Sequence, residues 1–232
     1  MGEKQDARRR ASFFLLLSLL HLMACRAIFP GEETPAPGTP EAIPGFTRLT
    51  PGDRAMYAGP SWSPDGQRIA YSRAEFTLPS LNPRSSEIFT LDLLSGDVVR
   101  LTDNQYEDRD PDWSPDGSQI VFVRVEPPRG TSTGTLRGRS LLMTVRPDGS
   151  DERVVFECPK NCYSPGWSSD GEQIAFSTDI IWLIGADGSG ARKLELTEFA
   201  YALHPIWSPD GNRLAFYPTF RTLESAVFRN IE

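Results

Sequence analysis

The sequence predicts an all-β fold, a β-propeller of four-stranded antiparallel blades, and three observations carry that prediction. The phrase PSWSPDGQRIAYS returns as PDWSPDGSQIVFV, PGWSSDGEQIAFS and PIWSPDGNRLAFY. Its tryptophans, Trp62, Trp113, Trp167 and Trp207, lie 51, 54 and 40 residues apart, near the period of propeller and solenoid repeats. Between the phrases, short apolar runs alternate with Gly, Pro and Asp turns, and no helical period is visible anywhere.

Each repeat reads as four strands. Strand A ends near the tryptophan. The Ser-Pro-Asp-Gly that follows is a turn with a mechanism: proline presets φ, aspartate caps its own backbone, and glycine supplies a positive φ. Asp65, Asp116, Asp170 and Asp210, with Gly66, Gly117, Gly171 and Gly211, are therefore turn formers with no catalytic role. Strand B is RIAYS, QIVFV, QIAFS or RLAFY, apolar on both faces, one bulky and one small. That pattern suits a sheet stacked between two neighbours. Strand C is IFTLDL, LLMTV or IIWLI, with Trp182 as a core residue. A turn at Gly96, Gly149 or Gly188 leads into strand D, seen as VVRLT, ERVVF and ARKLEL. From that glycine to the next tryptophan takes 17, 18 and 19 residues, whereas from tryptophan to glycine takes 34, 36 and 21, so length varies almost entirely before the C–D turn. Four-stranded units set side by side around an axis make a propeller; a β-solenoid is the competing architecture, and its coils are usually shorter.

The phrase P-x-W-S-P-D-G-x-x-I-A-F, followed by R-L-T, resembles the TolB-like, WD-like propeller repeat over about residues 46–217. The resemblance implies a scaffold and names no ligand. TolB is a periplasmic interaction module, so the resemblance implies protein–protein contact at the cell envelope. Such propellers more often have six blades, and four repeats are visible here: a closed four-bladed ring or an incomplete six-bladed one. FTRLT (46–50) matches strand D, with Leu49 lying 13 residues before Trp62, and could complete a last blade whose strand C is SAVFRN. The chain departs from TolB in carrying a tether where TolB has an N-terminal α/β domain. Propellers of this type also resemble the gating domains of prolyl-oligopeptidase-like enzymes, whose catalytic domain finds no counterpart in these repeats.

The N-terminus stands apart. Three arginines (Arg8–Arg10) precede the apolar run ASFFLLLSLLHLMA, which is short for a bilayer span and right for a signal peptide. Leu22-Met23-Ala24-Cys25 resembles a bacterial lipobox, implying cleavage before Cys25 and lipid on its thiol. An ordinary cleaved signal and a signal anchor are the other readings. The expected organisation is signal peptide 1–24, Pro/Gly-rich tether 25–45 and propeller 46–232. The net charge of −7 without a basic patch argues against nucleic acid, and membrane contact is expected only through the lipid.

Candidate chemistry is thin. Gly130-Thr131-Ser132-Thr133-Gly134 spells G-x-S-x-G, but that elbow needs a strand-to-helix turn and a histidine. After Cys25 the only histidine is His204, beside a strand A. Asp108, Asp110 and Asp112 alternate like a calcium loop, yet its sixth-position glycine is replaced by Trp113, so a solvated acidic D–A loop is expected. Cys158 and Cys162, spaced C-x3-C, lack further metal ligands nearby and read as a disulfide in an oxidising compartment. No cofactor, metal or catalytic residue is expected. The sequence thus points to a non-enzymatic, extracytoplasmic lipoprotein binding an envelope protein or peptide. Its contact surface is expected at the channel mouth and the long B–C loops (74–86, 125–140). The alternatives are a propeller that binds or processes carbohydrate or oligopeptide, and a fragment of a longer propeller protein.

Overall fold

The computed structural model describes residues 47–51, 53, 55–76, 83–127, 138–196, 200–219 and 227–230. The chain divides into two compact units, Met1–Asp53 and Arg54–Glu232. Of the first, the described residues form no strand, and Arg48 Nη2 donates to the Pro51 carbonyl at 3.5 Å. The strand D expected at 46–50 is therefore absent from Thr47 to Thr50: so short a run brings no ladder partner of its own.

The second unit is all β, and its strands fall in the predicted order. Blade 1 holds β1 (Ala55–Trp62), β2 (Arg68–Phe76), β3 (Pro83–Asp92) and β4 (Val98–Arg100). Blade 2 holds β5 (Glu107–Trp113), β6 (Ile120–Glu126), β7 (Arg139–Val145) and β8 (Arg153–Cys158). Blade 3 holds β9 (Tyr163–Trp167), β10 (Gln173–Ser177), β11 (Ile181–Gly185) and β12 (Arg192–Lys193). Blade 4 holds β13 (Tyr201–Trp207), β14 (Arg213–Thr219) and β15 (Val227–Asn230). Within each blade consecutive strands pair antiparallel, and one parallel bridge, Ser86 to Glu107, links blades 1 and 2. Strands A of successive blades adjoin: β1 beside β5, β5 beside β9, β9 beside β13. No comparable packing joins β13 to β1, so among the described residues the blades form an open arc.

The repeat turn recurs in atomic detail. In blade 2, Ser114 Oγ donates to Asp116 Oδ1 at 2.6 Å and accepts from the Gln119 amide at 3.0 Å. Asp116 Oδ1 also accepts from the Ser118 amide at 3.0 Å, and the Gly117 amide donates to the Ser114 carbonyl at 2.9 Å. The same serine-to-aspartate bond is made by Ser63, Ser168 and Ser208. The turn glycines take φ of 68°, 71°, 75° and 73°, where a Cβ is strained. The hydroxyl bonded to each aspartate, helped by the backbone amide, holds its carboxyl below the ordinary range.

Strand B explains the stacking. Its bulky positions face the preceding blade and its small ones the next. Ile120 and Phe122 pack with Ala70 and Ile88 of blade 1, while Val121 and Val123 pack with Ile174 and Phe176 of blade 3. Ala175, Ile181 and Leu183 of blade 3 meet Leu214 and Phe216 of blade 4 in the same manner. Burying each large side chain contributes about 1.5–3 kcal/mol, so blade-to-blade contact carries most of the fold's stability.

Ser114→Ala removes one acceptor for a backbone amide and the hydroxyl that donates to the Asp116 carboxylate and favours its charged form. We expect a loss of about 1–2 kcal/mol at pH 7 in urea unfolding. Because the Asp116 pKa is depressed in the folded state, that contribution is present above about pH 4 and is lost as pH falls through the folded value. The gap between wild type and variant should therefore narrow in acid.

Candidate functional site: the inner strands

The residues that face the arc's interior come from strands A, the strands that adjoin across blades. Each strand A is interrupted at one place. The ladder shifts register between Ala58 and Ser61, between Arg109 and Asp112, and between Leu203 and Ile206, and the β9–β10 ladder does so between Tyr163 and Gly166. The residues skipped are Gly59-Pro60, Asp110-Pro111, His204-Pro205 and Ser164-Pro165. The proline has no N–H to give the ladder, so the strand bulges. The residue before it takes a left-handed conformation in all four blades, with φ of 58° at Gly59, 54° at Asp110, 48° at Ser164 and 53° at His204. For the three non-glycine residues this strain costs about 1–2 kcal/mol each.

These bulges touch one another. Asp110 Oδ2 accepts from the Ser164 amide at 3.1 Å, and Ser164 Oγ lies 2.6 Å from His204 Nδ1. A carboxylate, a hydroxyl and an imidazole thus run across blades 2, 3 and 4, and His204 is exposed. Two residues onward, Asp112 binds the strands together. Its Oδ1 accepts from Ser61 Oγ at 2.8 Å and its Oδ2 from the Trp167 amide at 2.9 Å. Burial raises its pKa despite these bonds. Beside the row, the Arg109 guanidinium stacks 4.4 Å from the Tyr163 ring centroid and donates to the Cys162 carbonyl at 3.2 Å.

The acidic stretch corrects the sequence reading. Glu107–Trp113 is strand β5, neither a calcium loop nor a solvated one. Asp108 is fully buried and receives Arg124 Nε and Nη2, each at 2.7 Å. Arg124 also reaches Glu152, at 2.5 Å and 3.1 Å. Burial works against the Arg124 charge, but the bonds to Asp108 and Glu152 outweigh it and hold its pKa above the ordinary value. Asn104 Nδ2 bridges Asp108 (2.8 Å) to Glu87, whose pKa burial raises. An arginine inside the apolar strand IVFVRVE was the available signal, since a buried guanidinium demands a carboxylate.

Cys158, ending β8, and Cys162, just before β9, are joined as a disulfide with a Cα–Cα distance of 6.1 Å, tying blade 2 to blade 3. The turn residues Trp62, Asp65, Gly66 and their counterparts build the A–B turns as described. Cys25 and Gly130–Gly134 lie outside the described residues. Among the described residues no three His, Cys, Asp or Glu side chains are grouped to hold a metal ion. The inner row missed in the sequence had a visible mark, the proline two residues before each repeat tryptophan.

No family model matches the chain. It is 29% identical over 128 residues to dipeptidyl-peptidase 5 of Porphyromonas endodontalis, covering 54% of this chain and 17% of that protein. It is 27% identical over 174 residues to an uncharacterized protein of Agrobacterium fabrum, covering 68% of this chain and 54% of that one. Among solved structures, TolB from Acinetobacter baumannii superposes with a TM-score of 0.62 at 16% identity, over 80% of this chain and 43% of TolB. An oligogalacturonate lyase from Vibrio parahaemolyticus superposes at 0.58 and 18% identity, over 78% of this chain and 52% of the lyase. The fold is TolB-like. The chain spans well under two thirds of each of these proteins.

Two outcomes follow from the site. Ser164→Gly should be more stable than Ser164→Ala by about 1 kcal/mol in urea unfolding, because both lose the hydroxyl and only glycine relieves the positive φ. Arg124→Met should cost about 3–5 kcal/mol by leaving Asp108 buried and unpaired, and Arg124→Met with Asp108→Leu should recover much of that loss.

Proposed function

We propose that this chain is an extracytoplasmic lipoprotein, anchored through Cys25, whose TolB-like propeller binds a protein or peptide at the cell envelope. The observation that carries the binding reading is the row Asp110–Ser164–His204. It places donors and acceptors at regular blade spacing on a rigid scaffold, in an arrangement suited to the polar backbone of an extended peptide. The strain held at those three residues supports a role in binding, since strained backbone concentrates at functional sites. The acidic net charge favours a partner segment bearing positive charge.

A peptide-processing enzyme is the second reading, favoured by the match to dipeptidyl-peptidase 5 and by the 2.6 Å contact between Ser164 and His204. Hydrolysis would further require donors converging on an oxyanion, and the binding reading does not need them.

One set of measurements separates these readings. A photo-crosslinking residue at position 204 should capture a polypeptide in cells, while the same residue at position 154, exposed on outer strand β8, should not. Equal capture at both positions would overturn the site. Cys25→Ala should move the protein from the membrane to the soluble extracytoplasmic fraction; retention in the membrane would overturn the lipid anchor. Turnover of dipeptidyl p-nitroanilides, lost in Ser164→Ala, would transfer the chain to the enzyme reading.

A further inference from the structure

The three joints inside the chain share a stacked turn, the first adds an arginine over a tryptophan, and the described ends of the arc carry the unmatched halves of a further joint of that first kind. At the first joint Arg68, which opens strand B of blade 1, lies 4.7 Å from the ring centroid of Trp113, and Trp113 is only 4% exposed. The turns also stack. A Cβ on Gly117 would lie 3.4 Å from Pro64 of the preceding blade, one on Gly171 would lie 3.3 Å from Pro115, and one on Gly211 would lie 2.7 Å from Ser169.

At the blade 1 end this pattern lacks its preceding partner among the described residues. Trp62 is 61% exposed, and a Cβ on Gly66 would meet nothing within 4 Å. At the blade 4 end the missing halves are present. Arg213 occupies the repeat position of Arg68, beside the turn aspartate Asp210, with a half-exposed side chain. Pro209 occupies the position of Pro64 and is exposed. Tyr217, on the strand B face that meets the next blade elsewhere, is 70% exposed, and Ile206 is 66% exposed.

We infer that a second copy of this chain docks head-to-tail, the blade 4 face of one copy against the blade 1 face of the other. Arg213 then stacks on the partner copy's Trp62 ring as Arg68 stacks on Trp113, and Pro209 seats against Gly66. Apolar area is removed from water on both sides, through turn stacking the chain makes at all three internal joints and an arginine–tryptophan contact it makes at the first. Such a contact is heterologous: copies add until the rotation closes a ring, and otherwise continue as an open chain.

Disulfide trapping tests the joint in the full-length chain. Gly66→Cys on one chain and Pro209→Cys on a co-expressed second chain should give a covalent dimer of twice the chain mass after oxidation. Neither variant alone should do so, and adding Trp62→Glu to the first chain should abolish it. Pro64→Cys with Gly117→Cys in one chain is the control, because that pair occupies the same positions at an internal joint. A linked control without an intermolecular dimer would overturn the inference, as would a linked product of any other mass. Native mass spectrometry of the detergent-solubilised chain gives an independent reading. Two or more copies are expected for wild type and one for Trp62→Glu, and a single copy of wild type would overturn the proposal.

Discussion

Everything in this fold depends on a sheet that is apolar on both sides. Strand B carries Ile120 and Phe122 on one face and Val121 and Val123 on the other, and all four are fully buried. A sheet of that kind cannot stand in water alone. It must be sandwiched, and its neighbours, built from the same phrase, must be sandwiched in turn. Side-by-side stacking follows. So does the placement of strands A, which are drawn together along the interior because the blades splay outward from their shared contact. The row Asp110–Ser164–His204 exists because the innermost strand of each blade is interrupted by proline.

The parts legible in the sequence were those governed by local chemistry. The Ser-Pro-Asp-Gly turn, the two-faced strand B and the glycine before strand D are each fixed by a few adjacent residues, so the order of strands was readable and β15 fell where SAVFRN suggested it. Local chemistry failed at EDRDPDW. Its charged letters argue for solvent, yet Asp108 is buried because Arg124, on the neighbouring strand, comes to meet it. Nothing near Asp108 announces that pairing. The inner row lies between these cases: the proline was in plain view in every repeat, but only the register shift shows what it does to the residue before it. The stretch 46–50 had the letters of a strand and forms none from Thr47 to Thr50, since a strand is made by its neighbour as much as by its own residues.

Several polar groups inside this protein hold blades to each other. Asp112 reaches Ser61 in one direction and Trp167 in the other, spanning three blades with one carboxylate. Asn104, in the segment between β4 and β5, links Glu87 on strand C of blade 1 to the Asp108–Arg124 pair of blade 2. The disulfide joins the end of the outermost strand of blade 2 to the residue just before the innermost strand of blade 3. Apolar stacking is indifferent to small rotations, whereas these directional bonds are not. They set the angle between blades, and with it the spacing of Asp110, Ser164 and His204.

The likeness of the joints has a genetic consequence. Where every interface matches proline or serine to glycine across the same turn, a recombination event that deletes or duplicates one whole repeat brings together two surfaces that already fit. The unit of viable length change in such a gene is the blade, and a break in mid-repeat is what selection removes. Chains with different numbers of repeats then arise as close relatives of one another, each folding by the rules of its neighbours.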